Sequence, residues 1–151
     1  MKYGKILNGY EGYYQISNYG RIKSLQRNSS CCYGKERTLK EKEIYPSTDK
    51  NGYYRIMLSK NKDKKRFYIH ELVAKAFHDN YKKDKIIHHI DYDNTNNYYE
   101  NLYICDRQEH ITIHNLTDRL IRELVKNNIV IFKNGTYVIN QQFNSIKYEV
   151  E

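Results

Sequence analysis

The residues with the clearest potential for chemistry are four histidines that form two close pairs. His88 and His89 are adjacent within an apolar run, whereas His110 and His114 are four residues apart. Adjacent side chains on a strand point to opposite faces, but side chains four apart on a helix share one face. The first pair is therefore expected to divide between two tasks, and the second pair to act together.

Imidazoles in this arrangement suit the hydrolysis of a phosphodiester. The reaction needs a nucleophile generated near neutral pH, and histidine has the pKa range to act as the general base. It also needs charge neutralisation and a stabilised leaving oxygen, which a divalent cation supplies. One ligand and one base is thus a sensible division between His88 and His89. The alternatives are ordinary surface or core histidines, or a structural zinc site, although such sites usually contain thiolates and Cys105 is the only one nearby.

The local pattern predicts the elements that would position these histidines. Residues 85–90 read as a short strand, 91–100 as a loop dense in Asx residues, and 101–105 as a second short strand. Asp106 is expected to cap a helix, since DRQE has capping-box spacing with Glu109 at the third helical position. A strand, a loop, a strand and a helix in this order can bring the four histidines together.

The chain before this region reads mainly as paired strands. One hairpin is predicted to pair residues 13–17 with 21–25, and a second to pair 53–60 with 66–70 across a charged turn. A Lys- and Ser-rich loop is expected between the two hairpins. The stretch HELVAKAF then changes to helical spacing.

Charge is distributed unevenly along the 151 residues, whose formal net charge is +8. Residues 1–85 contain 20 Lys and Arg against 9 Asp and Glu, and residues 86–151 contain 6 against 9. A basic first half suits a polyanion, and nucleic acid is the commonest large one. AT-rich codons could supply many lysines, but they would not place them on one side of residue 85.

Five basic residues are candidates for contact with phosphates. Arg21, Lys23 and Arg27 alternate with apolar residues and could lie on one face of the predicted strand, the alternative being a solvated edge kept soluble by charge. Lys85 and Arg107 flank the histidines and are candidates for holding the scissile phosphate, the alternative being a purely structural role.

Cysteine usage and hydropathy bear on the compartment. Cys31, Cys32 and Cys105 are odd in number and form no CxxC pair, which favours a reducing cytosol over a disulfide framework. No apolar run approaches the roughly 20 residues of a membrane span, and the N-terminus has no signal-peptide core. A soluble cytoplasmic protein without a membrane partner is expected.

Taken together, His88–His89, Asn101, His110 and His114 resemble the HNH nuclease motif, a ββα-metal (His-Me finger) fold that holds one metal ion. The flanking stretches YIHELVAKAF and HHIDYDNTNN…ENL resemble those of phage and intron-type HNH homing endonucleases. The stretch GYEGYYQISNYGRIKSL is similar to the DNA-binding module that precedes the nuclease in those proteins. The two matches cover residues 8–27 and roughly 67–115.

The resemblance implies a role for each matching residue. His89 corresponds to the general base, and Asn101 to the middle Asn, which ties the loop so that the base is held in place. The implied metal ligands are His88, His110 and His114. Because imidazole suits transition metals better than it suits magnesium, one zinc, nickel, manganese or cobalt ion is expected. The sequence departs from the family at Tyr92, where a small turn residue is usual.

The expected fold class is α+β: a β-hairpin-rich DNA-binding region (1–66), a ββα-metal HNH nuclease domain (67–115), and a tail of one helix and one hairpin (116–151). In the tail, TDRLIRELVKN predicts an amphipathic helix and Asn134–Gly135 a hairpin turn. This tail could cover the nuclease core, contact a partner or form a homo-oligomer.

The function implied is metal-dependent hydrolysis of double-stranded DNA to 5′-phosphate and 3′-hydroxyl ends, in the host cytoplasm if the protein is phage-encoded. The alternative is a non-catalytic DNA-binding regulator that keeps the ββα fold as a zinc-stabilised scaffold. An intact His89 favours the enzyme, because a scaffold has no need of a base.

Overall fold

A computed structural model describes residues 4–30, 36–133 and 136–139 and confirms the α+β class. The chain divides into two units, Met1–Asp106 and Arg107–Glu151. Cys31 and Cys32 lie outside the described residues. The predicted domain boundaries after residues 66 and 115 stay predictions, and the second falls inside a helix.

The first unit begins with short antiparallel strands. Those described before the first helix are β1 (Lys5–Ile6), β2 (Tyr14–Ile16), β3 (Ile22–Ser24), β4 (Arg27–Ser30), β5 (Glu36–Leu39), β6 (Lys42–Ile44), β7 (Ser47–Thr48), β8 (Tyr54–Lys60) and β9 (Asp63–Tyr68). They form a four-stranded sheet in the order β1-β2-β3-β6, a β4-β5 hairpin and a three-stranded β7-β8-β9 sheet.

The first predicted hairpin is confirmed as β2 and β3, with Ile16 opposite Ile22. Its turn is closed by Ser17, whose hydroxyl accepts hydrogen bonds from the backbone N–H groups of Tyr19 (3.3 Å) and Arg21 (3.1 Å). Gly20 completes the turn with a φ of +78°, a left-handed conformation that glycine adopts without a Cβ penalty.

Two sequence predictions in this unit are wrong in detail. The expected Lys- and Ser-rich loop contains four short strands, β4 to β7, which a search for apolar alternation misses because β5 is largely exposed. The expected charged turn of the second hairpin has only two residues, Asn61 and Lys62, both at positive φ as a tight hairpin turn requires. The charged residues that follow belong to β9, an exposed strand on which charges are well tolerated.

A single apolar cluster holds these sheets against helix α1 (Ile69–Phe77). The side chains of Ile16, Ile22, Leu58, Ile69 and Val73 are at most 1% exposed. They come from both sheets and from the helix, so burial of this apolar surface fixes the hairpins relative to α1.

The first unit ends in the hairpin of β10 (Ile86–His89) and β11 (Leu102–Cys105), which are separated by an Asx-rich loop and a 3-10 turn (Tyr99–Asn101). Leu102, 2% exposed, joins the apolar cluster and anchors this hairpin to it.

The second unit contains α2 (Arg107–Lys126), β12 (Val130–Lys133) and β13 (Thr136–Ile139). The two helices predicted after Asp106 are one continuous helix, and the hairpin that follows is confirmed with Val130 opposite Ile139. Its predicted turn, Asn134–Gly135, lies outside the described residues. Among the described residues, helices of the length and apolarity needed to cross a membrane are not found.

Candidate active site

The paired histidines lie at the end of β10, where strand geometry separates them. His88 is opposite Tyr103 and His89 is opposite Leu102, so the two imidazoles are on different faces of the hairpin. Both are buried, at 6% and 4% exposure. This placement is what a division of roles between the two residues requires, and the roles themselves stay a prediction.

Asn101 ties together the loop that leaves β10. Its amide nitrogen donates to Asp91 Oδ1 (2.8 Å) and to the carbonyl oxygen of Asn96 (2.9 Å). Its amide oxygen accepts the backbone N–H of Asp91 at 3.1 Å, and its carbonyl accepts that of Ile90 at 2.9 Å. These four bonds fix the chain directly after His89, which is the loop-tying geometry expected of this residue.

Tyr92 occupies the position where the family usually has a small turn residue. It adopts a φ of +61°, which is uncommon for a bulky side chain, and its backbone N–H donates to the carbonyl of His89 at 3.0 Å. Its ring meets that of His88 edge-on, with centroids 5.1 Å apart. The chain thus makes a tight turn here with a tyrosine at positive φ.

The carboxylates of Asp91 and Asp93 accept hydrogen bonds from other residues of the same loop. Burial raises the pKa of Asp91, but hydrogen bonds from Asn101 and Asn96 outweigh it and leave the pKa below its usual value. The side-chain and backbone groups of Thr95 donate to Asp93 and lower its pKa. These carboxylates serve as acceptors that shape the turn.

His89 is enclosed by aromatic rings. The centroid of its imidazole is 5.4 Å from that of His70, with the rings nearly perpendicular, and 6.0 Å from that of Tyr53. Burial is the largest influence on His89 and lowers its pKa, although the nearby side chain of Asn97 and the carboxylate of Asp91 act in the opposite direction. Its imidazole is therefore neutral at neutral pH and able to accept a proton.

His70 is the part of this site that sequence reasoning passed over. Burial, and then the neighbouring His89, lower its pKa from 6.5 to about 4. Its ring stacks on Tyr68 at 5.3 Å, and the Tyr68 hydroxyl donates to Asp49 at 3.2 Å. The only signal in the sequence was its position at the start of a helix, and that position does not indicate that its ring contacts the ring of His89.

His110 and His114 share one face of α2, as their spacing predicts. Their Nε2 atoms are 3.3 Å apart and their ring centroids 4.5 Å apart. Burial, followed by the neighbouring His114, lowers the pKa of His110. Two imidazoles with converging nitrogens are suitable ligands for a transition metal.

The basic candidates differ in their surroundings. Arg21 is exposed, and Lys23 forms an ion pair with Glu41 at 2.9 Å. The guanidinium of Arg27 lies 4.8 Å from the ring centroid of Tyr13 and donates to three oxygens, including Ser24 Oγ at 2.9 Å. The prediction that Arg27 shares a face with the other two is wrong, because the strand ends at Ser24 and Arg27 begins β4 in a separate sheet.

The basic residues beside the histidines are at the edges of their elements. Lys85 precedes β10 and lies 3.8 Å from Asp106 in an ion pair whose side chains are 33% and 50% exposed. Arg107 is exposed at the first position of α2. Exposed pairs of this kind contribute about 0–1 kcal/mol, so Lys85 can exchange its carboxylate for another anion at little cost.

The histidine-bearing hairpin, its tied loop and the β-rich region before it are features of one protein class, and comparison with known proteins identifies that class. The HNH endonuclease family matches residues 67–111, and the NUMOD4 motif matches residues 2–59. A structure of the HNH homing endonuclease I-HmuI, solved to describe DNA binding and cleavage by that enzyme, is similar to this chain with a TM-score of 0.56 and 32% sequence identity. The similarity covers 89% of this chain and 75% of that one. The chain belongs to the HNH homing endonucleases.

Two curated relatives are similar over different lengths. The DNA endonuclease I-HmuI of Bacillus phage SP01 is 36% identical over 98 residues, which is 65% of this chain and 49% of the relative. An uncharacterized HNH endonuclease of Acanthamoeba polyphaga mimivirus is 33% identical over 133 residues, 88% of this chain and 35% of the relative. The chain thus spans half or less of the length of these relatives.

Proposed function

We propose that this chain is a metal-dependent DNA endonuclease that hydrolyses phosphodiester bonds to 5′-phosphate and 3′-hydroxyl ends. The observation that carries the proposal is the buried imidazole of His89, which lies at the end of β10 next to His88 within the segment that matches the HNH endonuclease family. A DNA-binding scaffold would not require a buried titratable group at this position.

His89 acts as the general base. Its lowered pKa keeps the imidazole neutral at neutral pH, so it can take a proton from water as the oxygen attacks phosphorus. Asn101 restrains the backbone on the far side of His89 through its bonds to Asp91 and Asn96. The backbone on both sides of His89 is therefore fixed, by strand β10 before it and by the loop bonded to Asn101 after it.

We propose that one divalent cation is held by His88, His110 and His114, the three ligands that the resemblance to the HNH motif implies. The donor set fits a transition metal: nitrogens bound about 2.0–2.1 Å from a tetrahedral zinc are about 3.3–3.4 Å apart, and the Nε2 atoms of His110 and His114 are separated by 3.3 Å. Zinc, nickel, manganese or cobalt is favoured over magnesium. When bound, the ion would neutralise charge on the phosphate and stabilise the leaving 3′-oxygen.

Double-stranded DNA is the proposed substrate. The basic first 85 residues supply the electrostatic attraction, and Arg21, which is exposed, and Lys23, which is paired with Glu41, are proposed to contribute to it. Lys85 and Arg107 are proposed to contact the phosphate near the histidines. Oligomerisation through residues 116–151 stays a prediction.

Incubation of the purified, chelator-treated protein with supercoiled plasmid and a panel of divalent metals tests this function. We expect nicked or linear product with at least one transition metal, and ends that DNA ligase can reseal, because ligase requires a 5′-phosphate beside a 3′-hydroxyl. Absence of cleavage with every metal, combined with retained DNA binding, would favour the zinc-stabilised regulator.

A further inference from the structure

Two complementary polar atoms are buried in the first unit without a hydrogen-bond partner. They are Nε2 of His89 and Oδ1 of Asn97, in side chains of residues that are 4% and 3% exposed. Among the described residues, only four buried side-chain polar atoms lack a partner, and these two are a ring nitrogen and an amide oxygen. An unpaired buried polar group costs about 1–3 kcal/mol, which favours pairing the two with each other.

The orientation of Asn97 leaves its oxygen available for this purpose. Its amide nitrogen donates to the carbonyl of Thr95 at 2.9 Å, so the oxygen is at the opposite end of the amide from that bond. The nearby side chain of Asn97 also raises the pKa of His89, against the larger effect of burial. An acceptor close to an imidazole N–H has this effect, because it stabilises the protonated ring.

The N-terminal module holds Asn97 in place. A Cβ added at Gly20 would lie 3.2 Å from Cβ of Asn97, so the backbone of the β2–β3 turn is in close contact with this residue. The carbonyl of Asn18 accepts the backbone N–H of Tyr99 at 2.9 Å, and Tyr19 stacks on Tyr98 with ring centroids 4.6 Å apart. The turn thus contacts the loop at Asn97 and at the two residues that follow it.

We propose that Asn97 is a positioning residue for the general base: its Oδ1 accepts the Nε2–H of His89 and so leaves Nδ1 unprotonated to receive the proton of the attacking water. The inference rests on the proposed function. The hydrogen bond made by one ring nitrogen sets the tautomer of a neutral imidazole. During hydrolysis the water proton passes to Nδ1, the water oxygen bonds to phosphorus as the P–O3′ bond breaks, and the 3′-oxygen takes a proton from solvent. The other ring proton stays on Nε2 of His89, hydrogen-bonded to Oδ1 of Asn97.

A competing partner for Nε2 is the ring of His70, whose Nδ1 is also buried without a partner. The two rings are inclined by 85°, with centroids 5.4 Å apart. Asn97 is favoured because an amide oxygen is an acceptor in every state, whereas a ring nitrogen of His70 accepts in only one tautomer. The experiment separates the two partners.

The test compares Asn97→Ala, Asn97→Asp and, as a matched control from the same loop, Asn94→Ala. Asn94 is a suitable control because it lies in the same loop and its side chain donates to the carbonyl of Asn51 at 3.2 Å. We expect Asn97→Ala to lower kcat about 10–100-fold, as is typical for residues that orient a reacting group, with KM for DNA close to that of the control. Asn97→Asp keeps an acceptor oxygen and should recover most of the lost rate.

A measurement independent of cleavage uses the metal-free wild-type protein and long-range proton–nitrogen NMR of its imidazoles. The expected spectrum shows His89 with a protected proton on Nε2, and Asn97→Ala should lose that protection. A wild-type His89 protonated on Nδ1 would overturn the inference, as would His70→Phe reproducing the kinetic loss while Asn97→Ala does not. If neither the wild type nor any variant cleaves DNA, the proposed function fails, but the NMR result still decides whether His89 and Asn97 form the hydrogen bond.

Discussion

Replacing Gly20 by alanine perturbs the point where the β2–β3 turn meets the nuclease region. Gly20 has a φ of +78°, and an added Cβ would lie 2.4 Å from Cγ2 of Ile69 and 3.2 Å from Cβ of Asn97. Ile69 is 1% exposed and begins α1, so its side chain has little room to move. The new methyl group must displace the turn, the helix or the loop that carries Asn97.

The expected cost has two parts. A left-handed conformation costs an L-residue about 1–2 kcal/mol. Overpacking a well-filled core costs about 1–3 kcal/mol more. Gly20→Ala should therefore lower the free energy of unfolding by about 2–5 kcal/mol, which is a large share of the 5–15 kcal/mol typical of a folded protein.

Gly12→Ala provides a control that isolates the contact. Gly12 has a φ of +74°, but nothing lies within 4 Å of a Cβ built there. Equilibrium urea unfolding of both variants should show Gly20→Ala to be less stable than Gly12→Ala by about 1–3 kcal/mol, the overpacking part alone. Equal stabilities would refute the close approach of the turn to Ile69 and Asn97.

The remaining predictions concern pH, metal and salt. Between pH 6.5 and about 4, His70 is protonated in the unfolded state but not in the folded state. The free energy of unfolding should therefore fall as the pH decreases, by up to about 3 kcal/mol at 1.36 kcal/mol per pH unit. Chemical unfolding at several pH values checks this, and His70→Phe should remove the part of the pH dependence that comes from His70. Calorimetric titration of the chelator-treated protein should give tighter binding of zinc or nickel than of magnesium, and the reverse order would mean that the imidazoles are not the ligands. Log affinity for DNA should fall linearly with log salt, and the Arg21→Ala, Lys23→Ala double variant should flatten that slope by about 2; an unchanged slope would make this face a solvated edge. Arg27→Ala should instead lower stability, since its guanidinium is bonded within the protein.

The histidine positions could be predicted because each depends on local periodicity. Alternation along β10 separates His88 from His89, and the four-residue spacing of His110 and His114 places them on one face of α2. The β2–β3 hairpin was predictable for the same reason, since apolar residues alternate along both strands and turn residues lie between them.

The neighbours of His89 could not be predicted in this way. His70 and Asn97 reach it from a helix and a loop at different distances along the chain, and periodicity within a segment carries no information about contacts between segments. The strands β4 to β7 were missed because exposed strands lack the apolar alternation used to recognise them. Arg27 was assigned to the wrong face because nothing local indicates that the sheet ends at Ser24.

The most direct test of the proposed base and ligand is a comparison of His88→Ala with His89→Ala in metal binding and in plasmid cleavage. His89→Ala should bind metal and DNA nearly as the wild type does, yet cleave about 10²–10⁴-fold more slowly, the usual contribution of a positioned general base. His88→Ala should lose both metal affinity and cleavage, because a ligand is removed. Cleavage at the wild-type rate by pure His89→Ala protein would contradict the account.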